Sequence, residues 1–97
     1  MPLVCRWTRA ALRDLEPIEN YIAQDNPASS VDMTIKIVQT VEDRLCRHPH
    51  IGRMGRVHGT RELVVSGTPY IVPYRVGDSR VEVLRVLHGA QRWPNNL

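Results

Sequence analysis

The hydrophobic period of this chain changes halfway along, and that change restricts the fold more than any other feature. Before His48 the apolar residues recur at helical spacing; after Gly59 they alternate. Residues 3–7, LVCRW, form a short apolar run that fits a strand. Thr8 is placed to cap a helix whose apolar positions are Ala11, Leu12, Leu15, Ile18 and Ile22. Pro17 falls inside this stretch and removes the backbone bond to residue 13, so either the helix kinks there or a new one starts. Asn26-Pro27 closes it and opens the next, with Asn26 as N-cap and Pro27 at the first helical position. There Val31, Ile35, Val38, Val41 and Leu45 form a stripe expected to face the core, and His48-Pro49 ends the helix.

From His50 to Gly59 the chain reads HIGRMGRVHG, a glycine-rich basic loop. Beyond it come RELVVS, a Gly67-Thr68-Pro69 turn, YIVPYRV, a Gly77-Asp78 turn and RVEVLRVLH, the pattern of an antiparallel meander. In its middle strand Tyr70, Val72, Tyr74 and Val76 share one face and Ile71, Pro73 and Arg75 the other. In its last strand Val81, Val83, Arg85 and Leu87 oppose Glu82, Leu84, Val86 and His88. Pro73 has no N–H for the ladder, so its strand carries a bulge or meets an edge there. The expectation is an α+β fold: an N-terminal strand, a helical hairpin, then a three-stranded antiparallel meander, with the helices packed on one face of the sheet. At 97 residues it is expected to be one domain spanning 1–97.

Composition narrows the function classes. Apolar residues make up 42% and charged residues 24%, the profile of a folded soluble domain. With neither a membrane-length apolar run nor a signal peptide, the chain is expected in the cytoplasm. Cys5 and Cys46 are too few for a disulfide framework and too isolated for a zinc site, and are expected as reduced, partly buried thiols. Twelve of the thirteen cationic side chains are Arg, the exception being Lys36, and the net charge is +3. Arginine recognises anions bidentately and does not act as a base near neutrality. His48 and His50 flank a proline without a carboxylate or Cys at ligand spacing, so no metal is expected. GRMGRVHG lacks the lysine and the strand-turn-helix setting of a phosphate loop. His88, at a strand end, is expected to hydrogen-bond a neighbouring loop. Arg61 and Arg85 are expected to pair with Glu62 or Glu82 across strands, and Trp93 to anchor the C-terminal tail onto the hairpin.

The element order, RELVV at 61–65, TPYIVPYRV at 68–76 and the closing VEVLRVLHGAQRWP at 81–94 resemble the RelE/ParE superfamily of type II toxins, in particular its ParE-like branch. The resemblance implies a toxin without a cofactor, held inactive by a cognate antitoxin and, in the ParE-like branch, poisoning DNA gyrase. RelE-like members are instead ribosome-dependent mRNA endonucleases whose sites rely on lysines, arginines and a late Tyr. Here Lys36 lies inside the long helix, no Tyr follows Tyr74, and Gln91 stands where that branch has an arginine, with Arg92 one place away. Arg61 does match the arginine of the R-x-L-V strand. Arg75, Arg85, His88, Arg92 and Trp93 are the expected target contacts, and Arg53, Arg56, Arg61 and Arg75 the expected contacts to an acidic, amphipathic antitoxin segment. The alternatives are an RNase using His58, Arg61, Arg85 and His88 on ribosome-bound mRNA, and a non-toxic module that only binds its antitoxin.

Overall fold

The computed structural model describes the backbone of residues 3–25 and 27–97, and the side chains of 3–18 and 33–97. Strand β1 (Val4–Trp7) leads into helix α1 (Arg9–Asp25) and helix α2 (Pro27–Thr40), which ends in a π-helical turn, Val41–Leu45. Then come β2 (Arg53–Met54), β3 (Arg61–Val64), β4 (Tyr70–Val76), β5 (Arg80–Val83) and β6 (Leu87–His88). The sheet order is β1-β5-β4-β3-β2, with β6 continuing along β4. β1 runs parallel to β5, Cys5 beside Val81 and Trp7 beside Val83, so the first and last parts of the chain lie side by side. The two free edges are β1 and β2.

Thr8 starts α1 as expected: its Oγ1 accepts from the Ala11 N–H at 3.1 Å and donates to the Leu84 carbonyl at 2.8 Å, tying the helix start to the end of β5. α1 runs as a single helix through Pro17. The proposed cap Asn26 lies outside the described residues, as do the side chains of Ile22 and Val31. Ala11 and Ile18 are buried, but Leu12 is 52% exposed rather than part of the core stripe. In α2 the core residue is Ile37 and not Ile35, which is 46% exposed. Ile37, Val41 and Leu45 follow at steps of four and are all fully buried. Ordinary helical winding explains the shift: Ile37 and Val41 are an i, i+4 pair on one face, whereas Ile35 lies about a third of a turn away from Val41, and the π-helical turn that follows carries Leu45 on the buried side.

These helical residues pack on one face of the sheet against Leu63, Val65, Val72, Tyr74, Val81, Val83 and Val86, with Trp7 and Tyr70 at the margin. The last strand is not continuous. Tyr74 pairs with Val83, and Ile71 with Leu87, so two residues of β4 oppose three of its partner, Leu84, Arg85 and Val86. This is a bulge opposite Pro73, whose carbonyl accepts from the Leu84 and Arg85 N–H groups at 3.0 and 3.5 Å. The extra residue reverses the alternation, so Val86 rather than Arg85 and Leu87 joins Val81 and Val83 in the core. Part of the basic loop is also strand: β2 pairs Arg53 with Glu62.

The cysteines differ from expectation. Cys5 in β1 and Cys46, which caps the π-helical turn, are joined as a disulfide, with Cα atoms 5.9 Å apart. A separation of 41 residues hid this proximity. The topology creates it, because β1 passes the end of the helical hairpin and the Leu3 N–H donates to the Cys46 carbonyl at 2.7 Å. Both residues are half-buried.

Candidate functional site

The basic segment 49–56 is held by two cross-strand neighbours, Arg61 and Tyr74. The fully buried Tyr74 hydroxyl accepts from the Gly52 N–H and donates to the Pro49 carbonyl, both at 2.8 Å. Arg61 donates to the Gly52 carbonyl at 2.9 Å and to the His50 carbonyl at 3.3 Å. A Cβ on Gly52 would lie 2.6 Å from the Tyr74 hydroxyl, so only glycine allows this approach. Burial raises the Tyr74 pKa, with the Gly52 N–H and the Arg61 charge opposing it in part. Arg61 thus shapes a loop through its backbone and makes no ion pair with Glu62 or Glu82.

On the sheet face away from the helices, Glu62 is cross-strand from Arg53 on one side and Pro73 on the other, and is only 2% exposed. Its carboxylate accepts from Arg53 at 3.1 and 3.2 Å, from the Arg56 side chain at 3.1 and 3.4 Å, and from the Arg56 backbone N–H at 2.9 Å. Burial alone raises the Glu62 pKa, but the Arg56 backbone and side-chain bonds, the Arg53 bonds and the Arg56 charge outweigh it and hold the carboxyl below its ordinary value. The two guanidinium groups remain about half exposed, so one buried anion orients two cations that still face solvent. Arg56 also stacks on Trp93, 3.5 Å from the ring centre. Trp93 in turn donates from Nε1 to the His88 carbonyl at 3.2 Å. Trp93 therefore anchors the tail to the basic loop and the end of β6, where the expectation placed it on the helical hairpin.

The bulge also sets Arg85. Its guanidinium holds Asp14 of α1 bidentately at 2.8 and 2.9 Å, and Asp14 accepts in addition from the Val86 N–H at 2.9 Å. The Asp14 bonds raise the Arg85 pKa against a smaller opposing effect of burial. His88 is a hub for the tail. Its Nδ1 accepts from the Ala90 N–H at 3.0 Å, its backbone N–H donates to Gln91 at 2.7 Å, and its ring meets Tyr70 edge-on at 5.5 Å. With Nδ1 accepting, the neutral ring carries its proton on Nε2. The expected loop contact of His88 is therefore present.

The structure thus brings Arg53, Arg56 and Trp93 into one cluster. A groove of about 440 Å³ adds Arg85 and Arg92, with Gln91, Pro94 and Asn95 along it. An adjoining groove of about 370 Å³ contains Asp14, Tyr70, His88 and Gln91. His58 and Arg61 line neither, and Arg75, cross-strand from Glu82, is exposed on the same sheet face as Glu62 but lines neither groove. Sequence reasoning missed three organising residues, Asp14, Glu62 as a buried anion, and Tyr74. The alternation in YIVPYRV did group Tyr74 with Tyr70, Val72 and Val76 on one face, which the structure turns to the core; nothing local links Asp14 to Arg85, 71 residues away. Among the described residues no three His, Cys, Asp or Glu side chains group to hold a metal. No helix of the described residues is long and apolar enough to cross a membrane. Arginines stacked on or beside an indole suit anion and base recognition and supply no proton-accepting group.

Comparison with known proteins places this geometry. Residues 5–93 match the family model described as ParE toxin of type II toxin-antitoxin system, parDE. The chain is 45% identical over 92 residues to the Y4kP protein of Sinorhizobium fredii, covering 95% of this chain and 94% of that protein. It is 38% identical over 85 residues to Toxin RelE2 of Caulobacter vibrioides, covering 88% and 93%. Among solved structures, the chromosomal ParDE system of P. aeruginosa superimposes with a TM-score of 0.82 at 27% identity, over 89% of this chain and 95% of that one. The family match over nearly the whole length, together with the 45% identity to the Sinorhizobium fredii protein, makes this chain a member of the ParE toxin family of type II toxin–antitoxin systems.

Proposed function

We propose that the free protein inhibits DNA gyrase in the cytoplasm by binding rather than by catalysis, and that a cognate antitoxin neutralises it. The observation that carries the reading is the composition of the tail groove, where Arg85, Arg92 and Trp93 meet with no lysine, tyrosine or histidine among the lining residues. Such a set contacts phosphates or acidic side chains and bases but has no group suited to deprotonating a ribose 2′-OH near neutral pH. Arg75 and Arg92, both exposed, are the freest contacts; Arg85 and Trp93 line the tail groove, and His88 lines the adjoining one. The antitoxin reading is supported by the kinship with a ParDE system. It is supported too by features an amphipathic acidic segment would cover: exposed Leu12 and Ile35 on the helices, free edges at β1 and β2, and the half-exposed Arg53 and Arg56. Arg61 supports that surface from beneath.

The kinship with a protein named Toxin RelE2 favours, as a second reading, an mRNA endonuclease using His58, Arg61, Arg85 and His88. Inducing the chain alone in a bacterium, and following labelled precursors into DNA and protein over the first minutes, separates the two. The gyrase reading expects DNA synthesis to fall first. Early arrest of translation would replace it with the nuclease reading, and undisturbed synthesis of both with soluble protein present would leave a non-toxic antitoxin binder.

A further inference from the structure

The cysteine pair has no part in the surfaces described above. Cys5 and Cys46 come from opposite ends of the helical region, and their Cα atoms are 5.9 Å apart, inside the span a disulfide bridges without backbone movement. Neither is deeply buried, and both line an open surface depression of about 380 Å³ with Glu42, Asp43 and Arg47, so a small thiol or disulfide has access. β1 is positioned without the covalent bond, by its parallel pairing with β5 and by the Leu3 to Cys46 backbone hydrogen bond. The two sulfurs are therefore already adjacent when reduced. In a reducing compartment such a pair is held as thiols, and only oxidising conditions close it.

We propose that Cys5 and Cys46 form a reversible redox site that staples the edge strand β1 to the end of the helical hairpin. Closure proceeds by thiol–disulfide exchange with a small disulfide such as oxidised glutathione. One thiolate attacks, releasing one glutathione thiol and leaving a mixed disulfide; the second then displaces the other glutathione, so two thiols are oxidised and one disulfide is reduced. The surroundings make this a slow site. Cys46 ends a helix, where the backbone carbonyls disfavour a thiolate, and Glu42 and Asp43 add to that effect while Arg47 offsets part of it.

The test equilibrates the purified full chain in glutathione buffers from fully reduced to fully oxidised, followed by acid quenching, alkylation and mass measurement, with thermal unfolding of each sample. The expected product at the oxidised end is a monomer two hydrogens lighter that resists alkylation, with the extent of closure independent of protein concentration. Its melting temperature exceeds that of the reduced chain by several degrees. Neither Cys46→Ser nor Cys5→Ser shows that shift, and the reduced wild type serves as reference where a variant folds poorly. Thiols that stay open to alkylation throughout, glutathione adducts alone, disulfide-linked dimers, or closure without a gain in melting temperature would each overturn the proposal. The readout does not depend on the toxin's target.

Discussion

At the scale of single residues, buried hydrogen-bond partners dominate the site, and their loss should be measurable. Tyr74→Phe removes the hydroxyl that serves Gly52 and Pro49 and leaves a buried N–H and carbonyl unpaired. Urea unfolding should show a loss of about 1–3 kcal/mol. Asp14→Ala orphans the Val86 N–H and frees Arg85, at a similar cost of about 1–3 kcal/mol. Combined with Arg85→Ala in a double-mutant cycle, it should show coupling rather than additivity. Glu62 gives a pH signature. Its folded pKa lies below the ordinary 4.5, so just below that value the unfolded chain binds more protons than the folded one, and stability rises with pH there. The contribution is therefore complete above pH 4.5 and is lost as pH falls through the folded value. Unfolding free energies of wild type and Glu62→Gln measured across acid pH should converge as pH drops; a constant gap would contradict the assignment. None of these three roles was legible in sequence. Asp14 and Arg85 are 71 residues apart, and a lone carboxylate in RELVV reads as an exposed strand charge until Arg53 and Arg56 are seen folded over it.

At the scale of elements, most of the fold was written in the chain, because periodicity is a local property. The change from helical to alternating spacing, the Thr8 cap and the Gly67 and Gly77 turns all lie where expected. The failures share a cause, the interruption of a period by a partner elsewhere. Ile35 lost its core place to Ile37, which stands one helical turn before Val41, and Arg85 left the Val81–Val83 alternation because a bulge accommodates Pro73. Trp93 consequently met Arg56, a contact the sequence did not suggest. Thr8 offers the test at this level. Its hydroxyl caps α1 and also donates to the Leu84 carbonyl beside the bulge, so Thr8→Ala should cost about 1–2 kcal/mol, while Thr8→Ser should recover most of it. Equal losses for the two variants, by chemical denaturation, would deny the hydroxyl that double role.

At the scale of the whole molecule, a small core is supplemented by a skewed charge and, when the cysteine pair is closed, by one long covalent loop. The Cys5–Cys46 link spans 41 residues, and constraint of the unfolded chain by a loop of that length stabilises by about 3–4 kcal/mol, which reduction in denaturation experiments should remove. The excess of cationic over acidic residues, +3 in net charge, predicts that antitoxin association weakens as salt screens it. Affinity unaffected by ionic strength would place recognition on the exposed apolar helix face alone. Both effects concern stability and association, whereas the proposed action on gyrase rests on the arginine- and tryptophan-lined tail. The most direct measurement adds the purified, antitoxin-free protein to gyrase acting on relaxed plasmid and, in parallel, to a ribosomal translation reaction, with Arg92→Ala alongside. Inhibition of supercoiling by the wild type, relieved by Arg92→Ala and with the translated mRNA left intact, is the predicted result. Unimpaired supercoiling together with cleavage of ribosome-bound mRNA would contradict it.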